Sequence, residues 1–131
     1  MRTRILFGFF VLCLLPTASF SGESFIFGKV WVSITKDSRV NWVWGFAQGQ
    51  EVILEELEIK DKSNLKYFIP VNDADVISEI MTQYYDDFAN CYIPWKYMAS
   101  VAKMKLQGKS QKVIEKELER LRQYADWARP K

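Results

Sequence analysis

The chain has 131 residues, 18 of them basic and 16 acidic, and it contains no histidine. Without histidine, the commonest general base, the usual zinc ligand and the Ser-His and Cys-His nucleophile pairs are all excluded. The small net charge gives no reason to expect a general electrostatic contact with nucleic acid or with an anionic membrane. We expect neither a cofactor nor a metal ion, since no glycine-rich phosphate loop follows a strand-like segment.

Residues 1–21 have the pattern of a cleavable secretory signal peptide. Arg2 and Arg4 form a positive n-region, residues 5–15 are apolar and uncharged, and small residues near Ser19 and Ser21 suit cleavage. The apolar run of about eleven residues is shorter than the roughly 20 that a spanning helix needs, although an uncleaved anchor helix is the alternative. We therefore expect a periplasmic or secreted protein without a transmembrane anchor in its mature form.

The remaining residues, 22–131, predict a single all-α domain of about four helices. Their net charge is near zero, because the first 21 residues contain two basic residues and no acidic ones. Residues 25–34 come first and are rich in Phe, Ile, Val and Trp. They predict either a short strand or an extended arm lying on the helices.

The first predicted helix spans roughly residues 37–57 and is apolar on two sides, which is typical of a helix at the centre of a domain. Gly45 and Gly49 lie on one face, beside Phe46, and each costs roughly 1 kcal/mol against alanine inside a helix. Their spacing predicts a close crossing, at which the backbone of another helix approaches α-carbons that lack side chains.

Three further helices are predicted by periodic apolar residues and by their end signals. The second covers about residues 72–88. Pro94 suits the first position of the third helix, and Gly108 suits its C-terminal end. Ser110 is a candidate cap for the fourth helix, which carries apolar residues on one side and charged residues on the other.

The segment between the second and third helices is the densest in residues of possible function. Its candidate partner-binding residues are Tyr85, Asp86, Asp87, Asn90, Tyr92 and Trp95. In a structural interpretation, Asn90 bonds to loop backbone groups and the aromatic rings cover the helix junction. In a functional one, the segment is a contact surface, because aromatic residues with a polar tip are favoured at interfaces.

Cys91 is the only cysteine after the signal peptide, so an intrachain disulfide is not possible in the mature chain. Free cysteine is often fully buried, and we expect burial here. A disulfide between two chains is the alternative.

The combination of several short motifs resembles a known family. Those motifs are Trp31, the run from Val43 to Gly49, Tyr85-Asp86-Asp87 with Asn90, Ile93-Pro94, and a last helix with Leu118 to Arg122. The Gly45-Phe46-Ala47-Gln48-Gly49 element is similar to one in the periplasmic immunity proteins that neutralise type VI secretion amidase effectors, the Rap/Tai-like family. This chain differs from them in lacking a cysteine pair.

The resemblance implies a non-enzymatic, immunity-like inhibitor that binds a protein partner in the periplasm and occludes it. Two alternatives remain open from the residues alone. One is an envelope glycosidase, with Asp86, Asp87 or a glutamate of the first helix as acid and base. The other is a structural homo-oligomer joined along the glycine-containing face of the first helix.

Overall fold

The structure is a computed structural model that describes residues 26–62 and 65–128. Five α-helices follow one another: α1 Phe27–Ser33, α2 Lys36–Glu56, α3 Ala74–Tyr85, α4 Trp95–Leu106 and α5 Gln111–Ala128. Short 3-10 helices cover Val71–Asp73 and Phe88–Asn90. Over the described ranges the chain contains no strand, so the all-α prediction is confirmed. The predicted signal peptide, residues 1–21, lies outside them.

The helix ends follow from local chemistry. The Thr35 hydroxyl accepts a hydrogen bond from the Ser38 amide at 3.2 Å, which caps the first turn of α2. Pro94 precedes α4, where its missing N–H costs nothing. Gly108 lies just beyond α4 with a φ of +72°, a conformation that glycine adopts without strain.

Most of the predicted strand or extended arm is instead helix α1, so that prediction is wrong for residues 27–33. Gly28 and Trp31 are one turn apart and both are buried. The Gly28 amide donates to the Cys91 carbonyl at 2.8 Å, and the Trp95 indole donates to the Phe27 carbonyl at 2.9 Å. These long-range contacts outweigh the weak strand preference of a short apolar run.

Aromatic side chains form the centre of the core. Trp31 is fully buried, and its ring centroid lies 5.8 Å from that of Trp42, 5.3 Å from Trp95 and 6.3 Å from Tyr85. Its indole N–H donates to the Thr82 hydroxyl at 3.0 Å, so the polar atom is satisfied inside the domain. Around this cluster, α3, α4 and α5 bury an aliphatic layer that includes Ile77, Met81, Met98, Val101, Ile114, Leu118 and Leu121.

Helix α2 lies at the edge of the domain, and the prediction that it is central is wrong. Its Val43 and Ala47 are buried, but the apolar side chains of Trp44, Val52 and Ile53, which lie in other directions around the helix, are exposed. Hydrophobic periodicity shows that a helix has two apolar sides, but not whether both are covered. Helices α3 and α4 occupy the central position instead.

The predicted close crossing at Gly45 and Gly49 is absent from the described part of the chain. Both glycines are exposed, and no atom lies within 4 Å of where a Cβ would be. Phe46, next to them, points to the core side and stacks on Trp42, with ring centroids 5.3 Å apart.

No helix in the described ranges is long and apolar enough to cross a bilayer.

Candidate functional site

The segment from Tyr85 to Trp95 forms a buried corner that joins α3 to α4. The Tyr85 hydroxyl donates to the Ile93 carbonyl at 2.6 Å, and both residues are buried. The Asn90 amide donates to the Tyr84 carbonyl at 2.7 Å, and its oxygen accepts from the Arg122 guanidinium at 2.9 Å. Tyr85 and Asn90 therefore hold the corner together, as the structural interpretation predicts.

Of the remaining candidates, Asp87 reaches the same network, because Arg122 lies 3.6 Å from its carboxylate and also donates to Asn90, whereas Asp86, Tyr92 and Trp95 do not join it. Trp95 packs in the aromatic core. Asp87 caps the following 3-10 helix, since one carboxylate oxygen accepts from the Ala89 amide at 2.9 Å. Asp86 is exposed and Tyr92 is half-buried, with its ring edge-on to the exposed Phe88. The corner is thus mainly a folding element with a small exposed rim.

Cys91 is buried in the same corner, as predicted. Its Sγ lies against Gly28, and burial raises the pKa of the thiol above its usual value. In this environment the thiol is a packing group of the α1 contact.

A different group of aromatic side chains lies together on the surface. It consists of Tyr67 from the segment before α3, Tyr97 from α4, and Tyr124 and Trp127 from α5, and we call it the tyrosine row. Successive ring centroids are 5.6, 5.6 and 6.3 Å apart. The exposed fractions are 38% for Tyr67, 41% for Tyr124 and 81% for Trp127. Large rings placed this close on a surface form a continuous contact area.

The backbone on both sides of Tyr67 is fixed by hydrogen bonds to the side chains of Gln50 and Lys103. The Gln50 side chain donates to the Tyr67 carbonyl and accepts from the Ile69 amide at 2.8 Å. The Lys103 ammonium donates to the Leu65 carbonyl at 2.9 Å, and burial lowers the pKa of this lysine. Since Ile69 is fully buried as well, this loop segment is tied at both sides of Tyr67.

Two lysines lie over the faces of the row. The Lys66 nitrogen is 5.4 Å from the Tyr67 ring centroid, and the Lys96 nitrogen is 4.8 Å from that of Tyr97. Both distances are within the range of a cation–π contact. The row is therefore both aromatic and positively charged.

One carboxylate, that of Glu117, lies among these cations. Arg120 binds it through two nitrogens at 2.6 and 3.0 Å, and Lys66 binds it at 2.9 Å. The hydrogen bond from Arg120, followed by the contacts with Lys66, lowers the pKa of Glu117. The triad anchors α5 to the segment that carries Tyr67.

An apolar hollow of about 250 Å³ continues the surface beyond Tyr67. Ile53 and Leu54 of α2 line one side, and Leu65 and Phe68 line the other. The surface formed by the row and this hollow thus extends from α2 to α5.

A second, open hollow adjoins the first at Leu54. Glu55 of α2 and Glu58, two residues beyond the end of α2, line it with Lys60 and Lys62, and Lys62 also pairs with Glu51. Glycosidase chemistry needs an acid shielded from water, and both Glu55 and Glu58 are exposed. In the described ranges, no three His, Cys, Asp or Glu side chains converge as a metal site would require.

Comparison with protein families, with curated proteins and with solved structures gave no match to this chain. The tyrosine row was missed by sequence reasoning, because its members come from three separate elements. The only local signal is the spacing of Tyr124 and Trp127, which places two aromatic rings on one side of a helix otherwise covered by charge.

Proposed function

We propose that this protein is an exported, non-enzymatic binding protein that occludes a protein partner in the periplasm with its tyrosine row. The observation that carries the proposal is the exposure of Tyr67, Tyr124 and Trp127 in one continuous surface. The signal-peptide pattern and the resemblance to the Rap/Tai-like immunity proteins support the location and the immunity-like role.

Tyrosine and tryptophan are the residues on which protein interfaces most depend. They bury large areas at a small entropic cost, and single residues of this kind often contribute 2 kcal/mol or more to binding. The row presents four such rings without a covering element in the described part of the chain. Its loop and helices are held by the Gln50, Lys103 and Glu117 contacts, so little ordering is needed on binding.

A quantitative capture experiment tests this proposal. The purified mature protein, immobilised on beads, is incubated with envelope extract, and bound proteins are measured by mass spectrometry. Trp127→Ser and Tyr124→Ser should reduce capture of the principal partner by at least tenfold. Trp44→Ser is the matched control, since Trp44 is also exposed, at 52%, but lies on α2 outside the row.

The same experiment can contradict the proposal. Equal capture by wild type and by the two row variants would exclude the row as the partner site. A loss caused by Trp44→Ser alone would place the contact on α2 instead.

Export is tested separately, by mass spectrometry of the protein recovered from the periplasm. We expect the leader to be removed, with a new N-terminus between residues 19 and 22. An intact leader, or a protein retained in the cytoplasm, would contradict the proposed location while leaving the binding surface open to the capture experiment.

A homo-oligomer is a second candidate, favoured by the uncovered glycine-containing face of α2. Val52 is exposed there, and the space above Gly45 and Gly49 is open. Sedimentation of the wild type should then show a dimer that Val52→Glu dissociates. A monomer at all concentrations would exclude this candidate.

A further inference from the structure

We propose that the tyrosine row binds an acidic segment of its protein partner in an extended conformation. The inference rests on the proposed function, because it specifies the chemistry of the partner at the same surface. It follows from the charges around the row, from the angles between the rings, and from their spacing.

The charges around the row are mostly positive. Lys66, Lys96 and Arg120 surround it, and Glu117 is the carboxylate bound among them. The local excess of two positive charges contrasts with the near-neutral balance of residues 22–131. A surface of this kind is complementary to carboxylates, and such complementarity mainly determines which partner is accepted.

Lys96 is the cation most available to a partner. The ion pairs found in residues 26–62 and 65–128 do not include it, whereas Lys66 and Arg120 share Glu117. Its ammonium lies 4.8 Å from the Tyr97 ring centroid, which places a positive charge directly on the row. An acidic side chain that contacts Tyr97 would therefore meet Lys96 as well.

The ring angles favour a polypeptide over a polysaccharide. Flat sugar rings stack on aromatic faces, so an extended sugar chain needs a platform of rings with similar orientation. Here Tyr67 and Tyr97 are inclined by 64°, and Tyr97 and Tyr124 by 81°. In addition, lysine ammoniums cover faces of Tyr67 and Tyr97. The row thus offers notches between edges and faces, which suit separate side chains.

The spacing of the rings matches an extended chain. Alternate side chains of a β-strand project on the same side about 7 Å apart. The ring-to-ring steps of 5.6, 5.6 and 6.3 Å are close to that repeat. At about 3.4 Å per residue, the four rings would therefore accommodate at most about six residues of extended polypeptide, with acidic side chains reaching the cations at either side.

Selection from a random twelve-residue peptide library tests the inference. The mature protein is the bait, and peptides are retained only if Trp127→Ser abolishes their binding. We expect the retained peptides to be rich in Asp and Glu. Their affinity should fall on the order of tenfold between low and high salt, because exposed charge contacts are screened.

A charge-reversed variant and a matched control make the test specific. Lys96→Glu breaks no ion pair of the described residues, and it should weaken the retained peptides about three- to tenfold. Lys109→Glu makes the same change of charge at an exposed position outside the row, and it should leave their affinity unchanged.

Two outcomes would overturn the inference, and they separate it from the proposed function. Neutral or basic peptides that still require Trp127 would refute the acidic partner but leave the row as a protein-binding site. If no peptide requires Trp127, the proposed function fails as well. Binding of a soluble N-acetylglucosamine hexamer that requires Trp127 would then identify a glycan site.

Discussion

Gly28 is the position at which a single added methyl group should perturb the fold most directly. A Cβ at this residue would lie 2.8 Å from Cys91 Sγ, 2.8 Å from Tyr85 Cδ1 and 2.9 Å from Cys91 Cα. Carbon atoms in contact are normally about 3.5–4.0 Å apart. The overlap includes a backbone atom, which cannot rotate away, so Gly28→Ala must displace α1 from the corner.

The magnitude follows from two contributions. Overpacking of a filled site costs about 1–3 kcal/mol. Displacement of α1 also weakens the 2.8 Å hydrogen bond from the Gly28 amide to the Cys91 carbonyl, at a cost of about 1 kcal/mol. We expect Gly28→Ala to lower the free energy of unfolding by about 2–4 kcal/mol.

Gly45 and Gly49 provide the matched comparison. They lie in the interior of α2 with open space around the Cβ position, so alanine there meets no obstacle. Alanine is favoured over glycine inside a helix by about 0.5–1 kcal/mol. Each substitution should therefore raise the free energy of unfolding by that amount.

Urea unfolding monitored by circular dichroism and tryptophan fluorescence measures all three variants. Thermal unfolding gives the same comparison, because in a domain of this size a change of 1 kcal/mol in the free energy of unfolding shifts the melting temperature by roughly 4–8 °C. A Gly28→Ala protein with the same free energy of unfolding as the wild type would refute the packing of α1 against the corner. If Gly45→Ala or Gly49→Ala destabilises the protein more at high protein concentration, a second copy must approach α2.

Three further predictions concern single side chains. Asn90→Ala should lower the free energy of unfolding by about 2 kcal/mol, because the Tyr84 carbonyl and the Arg122 guanidinium lose a buried partner. A decrease below about 0.5 kcal/mol, which is the size of an ordinary surface effect, would contradict this prediction. Because the pKa of Glu117 is lowered in the folded state, its contribution to the free energy of unfolding is present at neutral pH and is lost as the pH falls through the folded pKa. In Glu117→Gln, the free energy of unfolding should therefore fall less steeply as the pH is lowered. Cys91 should react slowly with a thiol reagent in the native protein and quickly in urea; rapid native labelling would show that α1 opens.

The helices with clear end signals could be predicted from the sequence. Pro94 and Gly108 enclose α4, and the observed helix, Trp95–Leu106, lies within them. Helix α2 was also placed correctly to within a residue at each end. In these segments local preference and tertiary packing agree, which is the condition under which pattern reasoning succeeds.

Helix α1 could not be identified in the same way. Its seven residues contain no capping side chain, and their composition suits a strand as well as a helix. The helix depends on contacts with Cys91 and Trp95, which lie more than 60 residues away along the chain. Contacts at that separation leave no periodic trace in a short segment.

A comparison of the buried corner with the tyrosine row shows why the proposed binding surface is difficult to predict from the sequence. Tyr85 is a candidate because it combines an aromatic ring with a polar tip, and the fold uses that tip, together with the Asn90 amide, inside a buried corner. Tyr67, Tyr97 and Tyr124 are unremarkable in their own segments, and only the packing of three elements brings their rings together. Residue type alone does not separate these two uses.

Site-specific photo-crosslinking tests most directly whether the tyrosine row is the partner surface. A photoreactive phenylalanine analogue replaces Tyr124 in one protein and Trp44 in another, and both are irradiated in envelope extract. A protein adduct at position 124 that is absent at position 44 is the predicted result. Adducts at position 44 alone, or equal labelling at both positions, would contradict it.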